Sequence, residues 1–184
     1  CWAFAITKTF ESSLSIFKQE PGLDLSEQEM VSCTRGAAGC GGGYMESAQY
    51  VVEHGLALEA DFPYRAANLR CKRLEPYAKA TKMVLLGTPS KRPTIEQIKR
   101  AIFEHGPVFV TVAAGGQGWS GSQPEVKGCR NRGTNHMVNI VGWTAEDKWI
   151  MANSWGSRWG DKGYALIKYG CDSIGDEAGY LVVE

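Results

Sequence analysis

The sequence has no run of about 18 apolar residues, so no segment reads as a bilayer-spanning helix. It has no surplus of charge either: twenty basic and twenty acidic residues cancel, and no strong field draws the chain to nucleic acid or an anionic membrane. Short repeats, low-complexity segments and N-x-S/T sequons are absent. So are an initiating Met and a signal peptide; a chain that opens on Cys1 is expected to have lost its original N-terminus. No CxxC occurs and the closest cysteines are seven residues apart, which argues against a zinc site; no metal or cofactor is implied. Histidine is scarce, with three in the chain, so the candidates for acid–base work are few.

What is present starts with 184 residues, 43% of them apolar, enough for one large or two small domains. The six cysteines, at 1, 33, 40, 71, 129 and 171, read as disulfides of an oxidising compartment, with one thiol kept for chemistry. If Cys1 is that thiol, an odd number remains. In "CWAFAITKTFESSLSIF", Trp2, Phe4, Ile6, Phe10, Leu14 and Phe17 recur at near-helical spacing. Cys1 therefore stands at a helix N-terminus, where unpaired N–H groups and the helix dipole favour a thiolate.

Further along, "LSEQEMVSC" predicts a helix capped by Ser26 with Glu29 closing a capping box. "GGYMESAQYVVEHG" predicts another, with Met45, Ala48 and Val52 on one face and a stop at Gly55. A loop-rich stretch follows, and near "LLGTPSKRPT" the composition turns to Pro, Gly and charge, a plausible boundary. "TIEQIKRAIFEHG" has a capping box of its own, Thr94 with Gln97, and ends at Gly106. Beyond it "VFVTVA", "HMVNIVGW", "KWIMANSW", "GYALIKYG" and "YLVVE" read as strands. A helical half followed by a β half predicts two units with a cleft between them.

His54 and His105 both sit in "EHG" at predicted helix C-termini, where an imidazole suits the dipole and needs no further role. His136 opens an apolar strand, so its polar ring stands at a strand end. Asn153 ends another, ahead of Trp155, Gly156, Trp159 and Gly160. Its amide is suited to accept a hydrogen bond from an imidazole, and a neighbouring indole to screen that bond from water. Alone, each residue has an ordinary structural reading. Together, Cys1, His136 and Asn153 supply a nucleophile, a base and an orienting amide.

Cys1, His136 and Asn153 lie 135 and 17 residues apart in the chain. The motifs "CWAFA", "LSEQEMVSC", "GCGGGYMESA", "FPY", "HGPVFVTV", "NHMVNIVGW" and "NSWGSRWGDKGYALIKYG" follow in order over nearly the whole chain. In all this the sequence resembles the papain (cathepsin-like) family of cysteine peptidases. The resemblance implies an α+β, papain-like two-domain fold. A helical left domain, residues 1–87, carries the nucleophile helix. A β-barrel-like right domain, residues 88–184, carries His and Asn, with the active-site cleft between the two. It pairs Cys33 with Cys71 and Cys129 with Cys171. It also implies a missing upstream segment, with a Cys for Cys40 and a Gln that completes the oxyanion hole.

The activity implied is cysteine endopeptidase action through a thioester, with peptide or protein substrates and a propeptide or cystatin-like inhibitor as partners. The compartment implied is secreted or lysosomal/vacuolar, and the enzyme is made as a zymogen. Gly42 and Gly43 match the positions that face the substrate backbone. Tyr44, Met45, Thr111, Thr134 and Met137 match the main specificity pocket, and Asn135 and Trp155 are further substrate-binding candidates; a bulky apolar P2 residue is expected. The segment "YGCDSIGDEAGY" is shorter than in typical members, so Asp172, Asp176 or Glu177 is a candidate acidic end for that pocket. Three rival readings are an N-terminal-nucleophile amidohydrolase, an inactive family member serving as a binding module, and a transglutaminase-like core. "NHMVNIVGW" and "NSWG" disfavour the first, the complete triad the second, and Asn153 in place of Asp the third.

Overall fold

The apolar stripe of the first segment makes Trp2–Phe17 a helix, α1, with Cys1 at its N-cap. One face, from Trp2 and Ile6 through Phe10 to Leu14, is buried. Two residues of the expected stripe depart from it. Phe4 is half-buried, edge-on against Tyr64, and Phe17 is exposed, because neither falls on the line that meets the neighbouring elements. The computed structural model describes residues 1–87 and 90–184, so the boundary expected at 87/88 falls beside residues outside those described.

Helix α2 spans Glu27–Cys33. Ser26 Oγ accepts from Glu29 N at 3.0 Å, but the reciprocal half of the expected capping box does not form. The Glu29 carboxylate is taken instead by Ala57 N at 2.8 Å and Tyr50 Oη at 3.0 Å, and Ser26 N donates to Ala57 O. A tertiary partner has outcompeted the local one. The next expected helix divides into a 3-10 turn, Met45–Ala48, and a short helix α3, Gln49–Glu53. With three residues per 3-10 turn the buried face becomes Met45, Ala48 and Val51, and Val52 is only half-buried. Helix α4, Ile95–His105, has both halves of the Thr94–Gln97 box and ends at Gly106, whose φ of 86° suits glycine.

Seven strands are described: β1 Lys82–Leu85, β2 Val108–Val112, β3 Glu125–Val126, β4 His136–Trp143, β5 Lys148–Ala152, β6 Tyr164–Lys168 and β7 Ala178–Val182. They form one sheet in the order β1-β7-β2-β4-β5-β6-β3, antiparallel except for the short β3–β6 pair. The sequence signals anticipate five of them. β1 and β3 are too short and too mixed to be read locally, and their partners β7 and β6 make them strands.

Alternation along the strands serves two cores. Val108, Val110, Val112, Val138, Ile140 and Ala178 face one core with α4 and the tryptophans. Phe109, Met137 and Leu181 face the other, which is built on α1, α2 and the Met45 turn. Asn139 stands on this second face, 2% exposed. Its Nδ2 donates to Ala5 O and to Thr9 Oγ1, both at 2.8 Å. Both donors of one amide therefore fasten α1 to β4. Asn139→Ala removes two buried hydrogen bonds and is expected to cost about 3 kcal/mol, read as a lower urea midpoint; an unchanged midpoint would show that the pin carries no net stability.

Candidate active site

Cys1 makes no side-chain cap bond, so its thiol is free at the positive end of α1. The adjacent Trp2 donates from Nε1 to Gly39 O at 2.9 Å, fastening the glycine loop to the same helix end. Within that loop a Cβ on Gly43 would run into the Trp2 indole. Gly42 has φ 138° and open space where a side chain would be. Tyr44 is exposed beyond them, and Met45 is buried in the α1 core.

His136 begins β4. Its Nε2 lies 2.8 Å from Asn153 Oδ1, just past the end of β5. Ser154 N–H donates to the same oxygen at 2.8 Å, which fixes that atom as the acceptor. The Nε2 position therefore carries the proton, and Nδ1 of the neutral ring carries the lone pair. Burial holds the imidazole below its ordinary pKa, and the Asn153 bond works the other way.

An aromatic wall covers this pair. Trp155 stacks on His136 with centroids 4.9 Å apart and meets Trp159 edge-on at 5.6 Å. Trp119 packs on both, and Trp159 Nε1 donates to Trp119 O. Trp119 Nε1 in turn donates to Asp172 Oδ2 at 2.8 Å, and Arg130 N donates to Asp172 Oδ1 at 2.6 Å. Asp172, 1% exposed, is thus spent in anchoring the wall, which removes it as a candidate for the pocket end. Asp176 pairs with Arg92 at 3.2 Å. Glu177 stays half-buried and joins no ion pair among the described residues.

The other expected site residues are distributed as follows. Thr111 pairs across the sheet with Met137, and both are buried. Thr134 is exposed. The Asn135 side chain accepts from Ala114 N at 2.8 Å and donates to Ala114 O at 3.0 Å, bracing the end of β2. Among the described residues Cys33 is bonded to Cys71 and Cys129 to Cys171, and Cys1 and Cys40 are free. His54 and His105 stand at the ends of α3 and α4. His105 is stacked on Tyr180 and His54 lies against Tyr50. Trp119, Asn139 and the anchoring role of Asp172 escaped the sequence reading because each works through partners remote in the chain.

A model of the papain family cysteine proteases matches residues 1–181. The chain belongs to the papain family. A cysteine protease of Blomia tropicalis is 34% identical over 95% of the chain and 56% of its own length. Cysteine proteinase 2 of Entamoeba histolytica is 37% identical over 89% and 55%. A Carica candamarcensis cysteine protease, solved in complex with E-64, superposes with TM-score 0.88 at 27% identity, covering 99% of this chain and 87% of that one. A digestive procathepsin L 3 from Tenebrio molitor gives TM-score 0.84 at 29% identity, covering 99% and 62%. This papain-family chain spans about half the length of the curated relatives it matches.

Beside Asn153 lies a cavity of about 150 Å³ whose walls include Phe4, Lys8, Glu11, Glu27 and Ser154. Asn153 Nδ2 is buried without a partner among the described residues. Burial pushes Glu11 up to about 7 and Glu27 up to about 8, with their acidic neighbours adding to it. A carboxyl whose folded pKa exceeds its unfolded value contributes stability at low pH and loses it as pH rises through that folded pKa. The difference in thermal midpoint between Glu27→Gln and wild type should therefore grow in the variant's favour from pH 5 to 8, the interval its raised pKa of about 8 spans. A difference that does not vary with pH would contradict the buried, protonated carboxyl.

Proposed function

We propose that this protein is a cysteine endopeptidase in which Cys1 is the nucleophile, His136 the base and general acid, and Asn153 the residue that orients His136. The observation that carries the reading is the His136–Asn153 bond, which leaves Nδ1 unprotonated in the neutral ring, beside a free thiol at the N-terminus of the helix that Asn139 fastens to the same strand. Transfer of the thiol proton to Nδ1 gives a thiolate–imidazolium pair. The thiolate attacks the substrate carbonyl carbon, and the developing oxyanion takes a hydrogen bond from the Cys1 backbone N–H. His136 gives its proton to the departing amine, leaving a thioester. Water, deprotonated by His136, then hydrolyses the thioester and returns the thiol.

Substrate backbone runs along Gly42 and Gly43 in this reading, with Tyr44, Met45, Thr111, Thr134 and Met137 receiving the P2 side chain and Asn135 and Trp155 flanking His136. The open space above Gly42 supports the first assignment, and the pairing of Thr111 with Met137 one residue from His136 supports the second. The left and right units, 1–87 and 88–184, supply opposite walls of the cleft. A propeptide or a cystatin-like inhibitor would occupy the same groove; the Tenebrio molitor relative is a proform. Two disulfides support a secreted or lysosomal/vacuolar compartment.

E-64, or another peptidyl epoxide, is expected to modify Cys1 once and to abolish hydrolysis, as mapped by peptide mass spectrometry. Labelling at Cys40 alone would overturn the choice of nucleophile. His136→Ala should abolish turnover and Asn153→Ala should reduce it less, since the base survives without its orienting bond. A greater loss from His54→Ala or His105→Ala in folded protein would sink the triad. With burial of each methylene worth about 0.8 kcal/mol, Leu or Phe at P2 should exceed Ala by about ten-fold in kcat/KM. Indifference to P2 would remove the pocket assignment while leaving the triad intact.

A further inference from the structure

The glycine loop beside Cys1 contains one peptide group that is held on both edges. The loop is a 3-10 turn, Gly39–Gly41, closed on itself by Gly41 N to Ala38 O at 2.9 Å and Ala38 N to Gly42 O at 2.8 Å. Within it the Gly39 carbonyl and the Cys40 N–H belong to the same planar unit and point in opposite directions. The carbonyl accepts from Trp2 Nε1 at 2.9 Å and from Gly42 N at 3.2 Å. The N–H donates to Asn68 Oδ1 at 2.7 Å. A planar unit bonded on both edges cannot rotate without breaking one of those bonds.

The two partners come from different parts of the chain. Trp2 follows Cys1 on α1, so the carbonyl edge is tied to the helix that carries the thiol. Asn68 lies on the segment that leads to the Cys33–Cys71 disulfide, and that segment is itself braced. Gln28 of α2, fully buried, accepts from Arg65 N at 2.8 Å and donates to Ala67 O at 2.9 Å. Asn68 also accounts for the glycine at position 39, where a Cβ would run into the Asn68 amide oxygen. Its φ of 59° is a second reason for glycine there. What Asn68 fixes passes directly to Gly42, whose N–H is bonded to the clamped carbonyl.

We propose that Asn68 is a positioning residue for peptide substrates: with Trp2 it clamps the Gly39–Cys40 peptide and so holds Gly42 and Gly43 where the substrate backbone runs. This rests on the peptidase reading above and adds to it a residue that the substrate need not touch. The Asn68 side chain is exposed, so its bond does little for global stability. Its effect lies in pre-organisation, because a loop already set costs a bound peptide no ordering. Among the described residues Asn68 makes no bond to Cys1 or His136, and the reactivity of the thiol itself does not depend on it.

The test compares two reagents for the same thiol in the full-length protein and its Asn68 variants. A peptidyl epoxide such as E-64 has a peptide backbone to lay along Gly42 and Gly43, and iodoacetamide has none. Loss of one hydrogen bond should slow epoxide inactivation of Asn68→Ala by about five-fold, with iodoacetamide alkylation of Cys1 unchanged. For a peptide substrate the loss should appear in KM and leave kcat nearly as it was. Asn68→Asp, which keeps the acceptor oxygen, should recover both. Asn68→Ser, whose hydroxyl falls short of the Cys40 N–H, should match Asn68→Ala and reads the same effect if the alanine variant does not fold. An unchanged ratio of the two rates in folded Asn68→Ala or Asn68→Ser would overturn the inference and leave the peptidase reading standing. So would an equal fall in both rates, or a failure of Asn68→Asp to recover. A wild type that neither cleaves peptides nor reacts with E-64 would remove the peptidase reading, and the inference with it.

Discussion

The Asn139 amide sits where two parts of the chain 130 residues apart must meet. Its two N–H groups reach the Ala5 carbonyl and the Thr9 hydroxyl, and both bonds are buried. A buried amide is costly unless both donors are satisfied, and α1 offers these two acceptors only at one translation and rotation against β4. The thiol at the N-cap of α1 and the imidazole at the start of β4 inherit that geometry. Phe109, Met137 and Leu181 fill the space around the pin with apolar contact, so the polar anchor sets the register and the core supplies the bulk of the stability.

The orientation of the imidazole depends on a second chain of contacts that runs outward. Asn153 holds Nε2, Trp155 covers the bond, Trp119 and Trp159 hold Trp155, and Asp172 holds Trp119. The Cys129–Cys171 disulfide lies beside Asp172 in sequence and ties its backbone. A hydrogen bond screened from water keeps its strength, so each outer member contributes to the tautomer of one ring. Asp172, which the sequence offers as a pocket acid, is consumed in this arrangement.

The two cores lie on opposite faces of one sheet. Its strands turn alternate residues to opposite sides, so β2, β4 and β7 each contribute to α1 on one face and to α4 and the tryptophans on the other. β1, which precedes the Pro- and Gly-rich stretch near residue 88, already pairs with β7 at the sheet edge. The helical and β halves are therefore interlocked through the sheet, and the site residues are drawn from strands and helix ends.

Sequence alone determined the helix that begins at Cys1, the full Thr94–Gln97 cap, five of the seven strands, the motif order of the papain family and the three residues proposed for catalysis. These are local signals, in which periodicity, capping residues and glycine stops act over a few positions. What it left undetermined were contacts whose energy comes from remote partners. Glu29 abandons its cap for Ala57 and Tyr50, the Met45 helix tightens into a 3-10 turn that buries Val51, and β1 and β3 exist only beside β7 and β6. The Trp119 indole likewise claimed Asp172, one of the three acids that the sequence offered for the pocket. Local pattern fixes the kind of element a segment becomes, but pairing register and the satisfaction of buried donors are properties of the assembled chain.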